Sequence, residues 1–68
     1  MMAKIQLNGK KVLIKQKLSI INLLKKHKLN KKNVAVEING KIISKQKYKN
    51  KIVKNNDKIE IVYFIGGG

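Results

Sequence analysis

The sequence predicts an α+β fold in which a mixed sheet of four to five strands packs on one α-helix. Three observations support this prediction. Apolar residues alternate around two Asn-Gly dipeptides, one stretch between them has helical spacing, and a final run at residues 58–65 again has strand character. A period of two is typical of half-buried strands and a period near 3.6 of an amphipathic helix. Because such a helix has one apolar face, we expect it to cover one face of the sheet.

The 68 residues suffice for one domain with a small core, since chains of this size bury only about 60% of their unfolded surface. Hydrophobic residues make up 43% of the chain, and cysteine is absent. Apolar packing, without disulfides or thiolate-bound metals, must therefore stabilise the fold. No apolar run is long enough to span a bilayer, and the N-terminus becomes polar too early for a signal peptide. We expect a soluble cytoplasmic protein.

The first predicted hairpin turns at Asn8-Gly9, a pair that tolerates positive φ and suits a two-residue type I′ turn. Four apolar residues share the predicted core-facing side of its strands: Ile5, Leu7, Val12 and Ile14. Leu13 is left on the opposite side. The second hairpin turns in the same way at Asn39-Gly40, with Val34, Val36 and Ile38 alternating before the turn.

The helix is predicted to begin after Ser19, whose hydroxyl can accept a hydrogen bond from an early backbone N–H. Its apolar face follows the spacing i, i+3, i+4 and i+7: Ile20, Leu23, Leu24 and His27. Lysines crowd the last turn, where positive charge favours the helix dipole. Asn30, which can adopt the left-handed conformation, is expected to end the helix.

Residues 44–50 are polar except for Tyr48 and suit a connector or a short 3₁₀ turn. Residues 51–54 are predicted to form a brief edge strand or an extended segment, and residues 55–57 a turn. The final strand ends apolar on both faces, which indicates a central strand or an exposed apolar patch. This order of elements predicts a β-grasp arrangement, with the first and last strands parallel and adjacent in the centre. The expected division is a β-grasp domain at 1–65 and a flexible glycine tail at 66–68.

The net charge of +14 raises the possibility of a polyanionic partner. All 17 basic residues are lysines spread from Lys4 to Lys58, and none is the arginine that reads bases and clamps phosphates bidentately. Lysine, asparagine and isoleucine all have AT-rich codons, so a genome-wide base bias would produce this charge without selection for a polyanionic partner. We therefore do not expect nucleic acid to be the partner.

Catalytic side chains are scarce. The chain has one histidine, His27, expected on the helix face or at the helix end, and three carboxylates, Glu37, Asp57 and Glu60. No two acids form a general acid–base motif, and one histidine with three scattered acids does not make a metal site. Asp57 is interpreted as a turn residue and the two glutamates as solvent-facing strand positions. We predict that the protein is not an enzyme and holds no metal or cofactor.

The sequence ends on Gly66-Gly67-Gly68, directly after the final strand. Glycines cost ordering entropy and offer nothing to bury, so they suit a thin tail that enters another protein's active site. The α-carboxylate of Gly68 could react there if a partner converts it to an acyl-adenylate. The alternative is a frayed end without a function.

The whole chain, from Lys4 through Gly68, resembles the ThiS family of small sulfur carrier proteins of thiamine thiazole synthesis. The resemblance rests on the opening hairpin, residues 18–24 at the helix start, the stretch 33–43, the segment 56–61 and the closing Gly67-Gly68. The lysine excess departs from the family, many members of which are neutral or acidic. The helix also lacks glutamates, and the connector lacks a proline that is common there.

The resemblance implies that a ThiF-type, ubiquitin-activating-like enzyme uses ATP to adenylate Gly68. A cysteine-desulfurase-derived persulfide then supplies sulfur to form a thiocarboxylate, and thiazole synthase takes the sulfur. Gly66 and Gly67 would be the flexible reach of the tail. Leu13, Val62 and Phe64, opposite the predicted core face, are the expected docking surface, although ordinary packing is the alternative for them.

Two rival functions remain open from the sequence. The small subunit of molybdopterin synthase and the ubiquitin-related modifiers also end in diglycine on a β-grasp fold, but both are usually longer. A basic RNA-binding β-grasp module would instead show binding that weakens steeply with salt and survives removal of Gly67-Gly68.

Overall fold

The computed structural model describes residues 2–15 and 17–64. Five strands and one α-helix follow in chain order: β1 Met2–Leu7, β2 Lys10–Lys15, α1 Ile20–Lys26, β3 Val34–Ile38, β4 Lys41–Ile43 and β5 Lys58–Tyr63. Short 3₁₀ helices at Lys31–Asn33 and Lys45–Lys47 lie before β3 and after β4. Ile65 and the predicted tail at 66–68 lie outside the described residues.

The strands form one mixed sheet in the order β2-β1-β5-β3-β4. β1 and β5 pair in parallel through Gln6–Lys58 and Leu7–Ile59, and the neighbouring pairs are antiparallel. The predicted α+β fold and its parallel first and last strands are therefore confirmed. β5 is the central strand and its apolar end is also exposed, so both alternatives predicted from that end apply.

Both Asn-Gly pairs form the predicted hairpin turns. Asn8 and Asn39 have φ of 48° and 52°, and the following Gly9 and Gly40 have φ of 85°. The turns fix the registers Leu7–Lys10 and Ile38–Lys41. Because side chains alternate across a strand, these registers determine which residues face the core.

The core lies between α1 and one face of the sheet. It contains the helix residues Ile20, Leu23 and Leu24, which are fully buried. The other buried apolar residues come from the strands and from the segment after β4: Ala3, Ile5, Ile14, Val34, Val36, Ile38, Tyr48, Val53, Ile59 and Ile61. Leu7 and Val12 pack against this core at its edge, as the alternation predicted.

The start of α1 is as predicted. Ser19 is the N-cap, and its Oγ accepts a hydrogen bond from the Asn22 backbone N–H at 3.2 Å. Asn22 occupies the position where Glu or Gln would complete a capping box.

The end of α1 differs from the prediction. The helix stops at Lys26, and Lys28 rather than Asn30 adopts the left-handed conformation, with φ of 58°. The Lys28 N–H donates to the Lys25 carbonyl and the Leu29 N–H to the Leu24 carbonyl, which together make a Schellman motif. Half-buried Leu29 packs on the core that contains Leu24, so apolar packing fixes this end. Asn30 instead caps the first 3₁₀ helix by accepting from the Lys32 N–H.

The segment 51–54 is extended but does not join the sheet as an edge strand. Ile52 forms an isolated antiparallel bridge with Ser19, and the Val53 N–H donates to the Leu18 carbonyl at 2.8 Å. This segment pairs with the chain entering α1 because Val53 is buried there. The turn at residues 55–57 is confirmed, with Asn56 at φ of 71°.

The asparagines of the two hairpin turns also bind the central strand. The Asn8 side chain accepts from the Ile61 N–H at 2.7 Å and donates to the Ile61 carbonyl at 3.2 Å. Asn39 Oδ1 accepts from the Lys58 N–H at 2.9 Å, and its Nδ2 donates to Asp57. Each amide continues the ladder beyond the end of its strand, so the two turns hold β5 from opposite sides.

Replacing Asn8 with glycine should lower the free energy of unfolding by about 1–3 kcal/mol, because glycine permits the positive φ but leaves the Ile61 N–H and carbonyl without the amide. Urea unfolding measures the change. Asn56→Gly is the matched control, since Asn56 also has a positive φ but contacts β1 through its backbone N–H to the Lys4 carbonyl. An equal loss in both variants would show that the turn conformation, and not the Asn8 amide, stabilises the sheet.

Within residues 2–15 and 17–64, no helix has the length and apolar character required to cross a membrane.

Candidate functional site

The face of the sheet opposite α1 is open, and we refer to it as the outer face. Strand alternation assigns thirteen residues to it: Met2, Lys4, Gln6, Lys11, Leu13, Lys15, Ala35, Glu37, Ile42, Lys58, Glu60, Val62 and Phe64. Five of these are large apolar residues that are more than half exposed: Met2, Leu13, Ile42, Val62 and Phe64. This face is therefore the principal candidate for contact with another protein.

All three predicted docking residues point away from the core. Leu13 is 58% exposed, and Val62 and Phe64 are each 57% exposed. Val62 and Phe64 are neighbours on the same side of β5. Leu13 lies elsewhere on the outer face, as the register shows.

Leu13 pairs with Lys4 on β1, and the Lys4 carbonyl accepts from the Asn56 N–H. Val62 lies six residues after Asn56 on the parallel neighbour, which corresponds to roughly 20 Å along the strand. Leu13 is also two strands away from β5 in the sheet. The structure therefore brings Val62 and Phe64 together but places Leu13 at the other end of the face.

The neighbours of Val62 and Phe64 come from β3 and β4. Across the sheet Val62 pairs with Ala35, and Glu60 pairs with Glu37, which in turn pairs with Ile42. Ile42 is 79% exposed. We call this set the C-terminal patch: Ala35, Glu37, Ile42, Glu60, Val62 and Phe64.

Two carboxylates face each other within the C-terminal patch. At the two ends of the β3–β5 ladder, the Phe64 N–H donates to the Asn33 carbonyl and the Asn39 N–H donates to the Lys58 carbonyl. These two bonds determine which opposing residues of β3 and β5 form hydrogen-bonded pairs. Glu37 and Glu60 form one of these pairs, so their Cα atoms lie about 5.5 Å apart. Both side chains are half-buried.

The opposite end of the outer face is basic. Leu13 lies between Lys11 and Lys15 on β2 and beside Lys4 on β1, and all three lysines are exposed. The outer face thus has a lysine end around Leu13 and an acidic, apolar end around Val62.

The chain leaves the sheet at the C-terminal patch. β5 ends at Tyr63, and the Phe64 N–H still donates to the Asn33 carbonyl at 2.8 Å. The backbone is therefore fixed up to Phe64. Gly66, Gly67 and Gly68 follow within four residues in the sequence and lie outside the described residues.

The remaining candidate side chains have structural positions. His27 is the exposed C-cap of α1, where its backbone N–H bonds to helix carbonyls. Asp57 organises its turn by accepting from the Lys54 N–H at 2.8 Å and from Asn39 at 2.9 Å. Among the described residues no group of three His, Cys, Asp or Glu could hold a metal ion. Two surface depressions of about 120 and 210 Å³ are smaller than the roughly 300 Å³ typical of small-molecule sites.

The topology defines the class. A mixed sheet with parallel first and last strands in its centre and one helix on one face is the ubiquitin-like β-grasp fold. The chain belongs to the ThiS family, whose model matches residues 3–68. It is therefore a sulfur carrier protein of thiamine biosynthesis and not an enzyme.

Individual relatives agree with this assignment. The chain is 45% identical over 65 residues to the sulfur carrier protein ThiS of Bacillus subtilis. The match covers 94% of this chain and 98% of that protein. It superposes on the crystal structure of the thiamine biosynthesis protein ThiS from Geobacter metallireducens with a TM-score of 0.81 and 31% identity, over 96% of this chain and 99% of the other. It is also 37% identical to part of a thiazole synthase of Paramagnetospirillum magneticum, where the match covers 96% of this chain but 20% of that protein.

Four residues of the C-terminal patch were not among the predicted docking residues: Ala35, Glu37, Ile42 and Glu60. Ile42 could have been found from the sequence, because the Asn39-Gly40 turn fixes the register that places it opposite Glu37. The pairing of Glu37 with Glu60 depends on the contact between β3 and β5, which the local sequence does not specify.

Proposed function

We propose that this protein carries sulfur as a thiocarboxylate on Gly68 for thiamine thiazole formation. The main support for this function is the central position of β5 and the place where this strand ends. The central strand is hydrogen-bonded on both sides and ends at an exposed apolar patch, five residues before Gly68. A partner that binds the C-terminal patch would receive the following residues directly in its active site. The fold at 1–65 would serve as the docking domain and 66–68 as the reactive tail.

The proposed chemistry begins with activation of the Gly68 carboxylate. A carboxylate oxygen attacks the α-phosphorus of ATP, and pyrophosphate leaves. The terminal sulfur of a cysteine persulfide then attacks the acyl carbon and displaces AMP. Reduction of the resulting disulfide bond by a thiol releases the thiocarboxylate. The carrier itself binds no cofactor, because ATP is held and used by the activating enzyme.

Glycine at the last positions suits this chemistry. Without a Cβ, the backbone can lie against the walls of a narrow, water-excluding channel. The family match extends through Gly68, which supports the assignment of the reactive end. The use of ATP and a persulfide is consistent with a cytoplasmic location.

Two partners are proposed. The first is a ThiF-type adenylating enzyme supplied by a cysteine-desulfurase-derived persulfide. The second is thiazole synthase, the proposed sulfur acceptor. The match to one fifth of a thiazole synthase chain supports this second partner, because that protein contains a domain similar to this chain in the same polypeptide.

Intact-mass measurement tests the proposal. After incubation with ATP, the cognate activating enzyme and a cysteine-derived sulfur source, we expect the mass to rise by the exchange of one oxygen atom for sulfur. Deletion of Gly68 should abolish the gain, because the carboxylate then ends one residue short of the reacting atoms. Gly68→Ala keeps the carboxylate at its position but adds a Cβ, and should slow the reaction without abolishing it.

The control is a carrier protein on which the same activating enzyme is known to act. A mass gain on that control, with none on this chain, would overturn the proposed function. A gain that persists after deletion of Gly68 would show that the sulfur is attached elsewhere.

A further inference from the structure

We propose that the C-terminal patch docks an apolar surface of the activating enzyme that presents one arginine to Glu37 and Glu60. This inference rests on the proposed function and specifies the chemistry by which the partner is recognised. The arginine would bridge the two carboxylates, while its neighbours on the partner cover Ile42, Val62 and Phe64.

The first support is the pairing of two acids on the outer face of a basic protein, where Lys58 lies two residues before Glu60 on the same side of β5. The chain has 17 lysines and three acidic residues, and Asp57 is engaged in its turn. The other two acids lie directly opposite each other on adjacent strands. Like charges in such cross-strand pairs are destabilising, so their juxtaposition does not serve the stability of the free protein. A cation placed between them would relieve the repulsion.

The second support is the apolar frame around the carboxylates. Ile42 lies beside Glu37, and Val62 follows Glu60 on the same side of β5. When a partner covers these exposed side chains it removes water from the carboxylates as well, and charge-assisted hydrogen bonds strengthen in that environment. Ala35, the smallest side chain of the patch, lies opposite Val62 and two residues before Glu37 on β3.

Arginine fits this site better than lysine does. Its planar guanidinium has five N–H donors in a rigid fork and can serve two carboxylates, whereas a lysine ammonium is a compact, strongly hydrated charge. Arginine is also enriched at the energetic centres of protein interfaces.

Two other occupants are disfavoured by charge. A nucleic acid would bring phosphates against the carboxylates. A second copy of this chain would bring two further carboxylates and no arginine, and each copy carries a charge of +14. The favoured occupant is therefore a different protein with a cationic, apolar surface.

The test compares two double variants with the same net charge. E37Q/E60Q removes both carboxylates while keeping the side-chain shape. Q46K/N50K adds two lysines at exposed positions after β4, outside the patch. Both variants raise the net charge from +14 by two, so they separate the local site from long-range charge.

The dissociation constant for the activating enzyme is measured by titration without ATP, and thiocarboxylate formation is followed separately. We expect E37Q/E60Q to weaken binding by about tenfold or more, since the partner's arginine is left buried and unpaired. Its melting temperature should stay equal or rise, because the repulsion is gone. Q46K/N50K should bind like the wild type.

Unchanged binding of E37Q/E60Q, or an equal loss in Q46K/N50K, would overturn the inference. Replacing each arginine of the partner by alanine should identify one whose effect disappears in the E37Q/E60Q background. If the variants bind the activating enzyme as expected but the wild type forms no thiocarboxylate, the proposed function is contradicted and the inferred docking site is still supported.

Discussion

Replacing Tyr48 with alanine is expected to remove a large share of the folding stability of this protein. The Tyr48 side chain is 1% exposed, and its hydroxyl oxygen accepts from the Val36 N–H at 3.2 Å. Its backbone carbonyl accepts from the Ile21 N–H, so the residue joins β3 to the start of α1. Loss of a buried aromatic ring costs about 3–5 kcal/mol. A domain of this size has a total stability of roughly 3–10 kcal/mol.

Circular dichroism and urea unfolding would measure the effect, with two comparison variants. Tyr48→Phe keeps the ring and removes the hydroxyl, so it should cost about 1 kcal/mol. Ile42→Ala shortens a side chain that is 79% exposed and should change stability by less than about 0.5 kcal/mol. A loss in Tyr48→Ala no larger than that in Tyr48→Phe would show that packing of the Tyr48 ring contributes little to the core.

Replacing Phe64 with alanine is expected to impair activation much more than stability. Phe64 is the last described residue, and more than half of its side chain is exposed beside Val62. Aromatic side chains of this kind often dominate binding, with losses of about 2 kcal/mol or more on truncation, while exposed positions contribute little to folding. We expect the KM for the carrier in ATP-dependent activation to rise at least about tenfold, with a nearly unchanged melting temperature.

Tyr63→Ala is the matched control for this prediction. Tyr63 is 52% exposed and adjacent in sequence, but alternation directs it to the helix side of the sheet. Its replacement should affect the KM less than that of Phe64. Normal activation kinetics of Phe64→Ala together with a clear loss of melting temperature would show that Phe64 is a packing residue.

Leu13→Ala tests whether the docking surface extends across the whole outer face. Leu13 lies at the lysine end, far from the C-terminal patch. A rise in KM similar to that of Phe64→Ala would indicate that one partner covers both ends. An unchanged KM would limit the surface to the C-terminal patch.

Much of the architecture was predictable because the decisive signals are local. Asn-Gly pairs permit positive φ and set the hairpin registers, and Ser19 offers a hydroxyl to the first turn of α1. The end of α1 was less predictable. An asparagine tolerates the left-handed conformation more readily than a lysine does, but packing of Leu29 on the core placed that conformation at Lys28.

The two hairpins, the start of α1 and the glycines at the proposed reactive end could be recognised without a structure, since each depends on neighbouring residues or on composition. How these parts meet depends on the tertiary fold. It placed Leu13 far from Val62, set Glu37 opposite Glu60, and directed the turn amides of Asn8 and Asn39 to β5. These contacts join residues distant in the chain, and their register follows from burying one face of the sheet against α1.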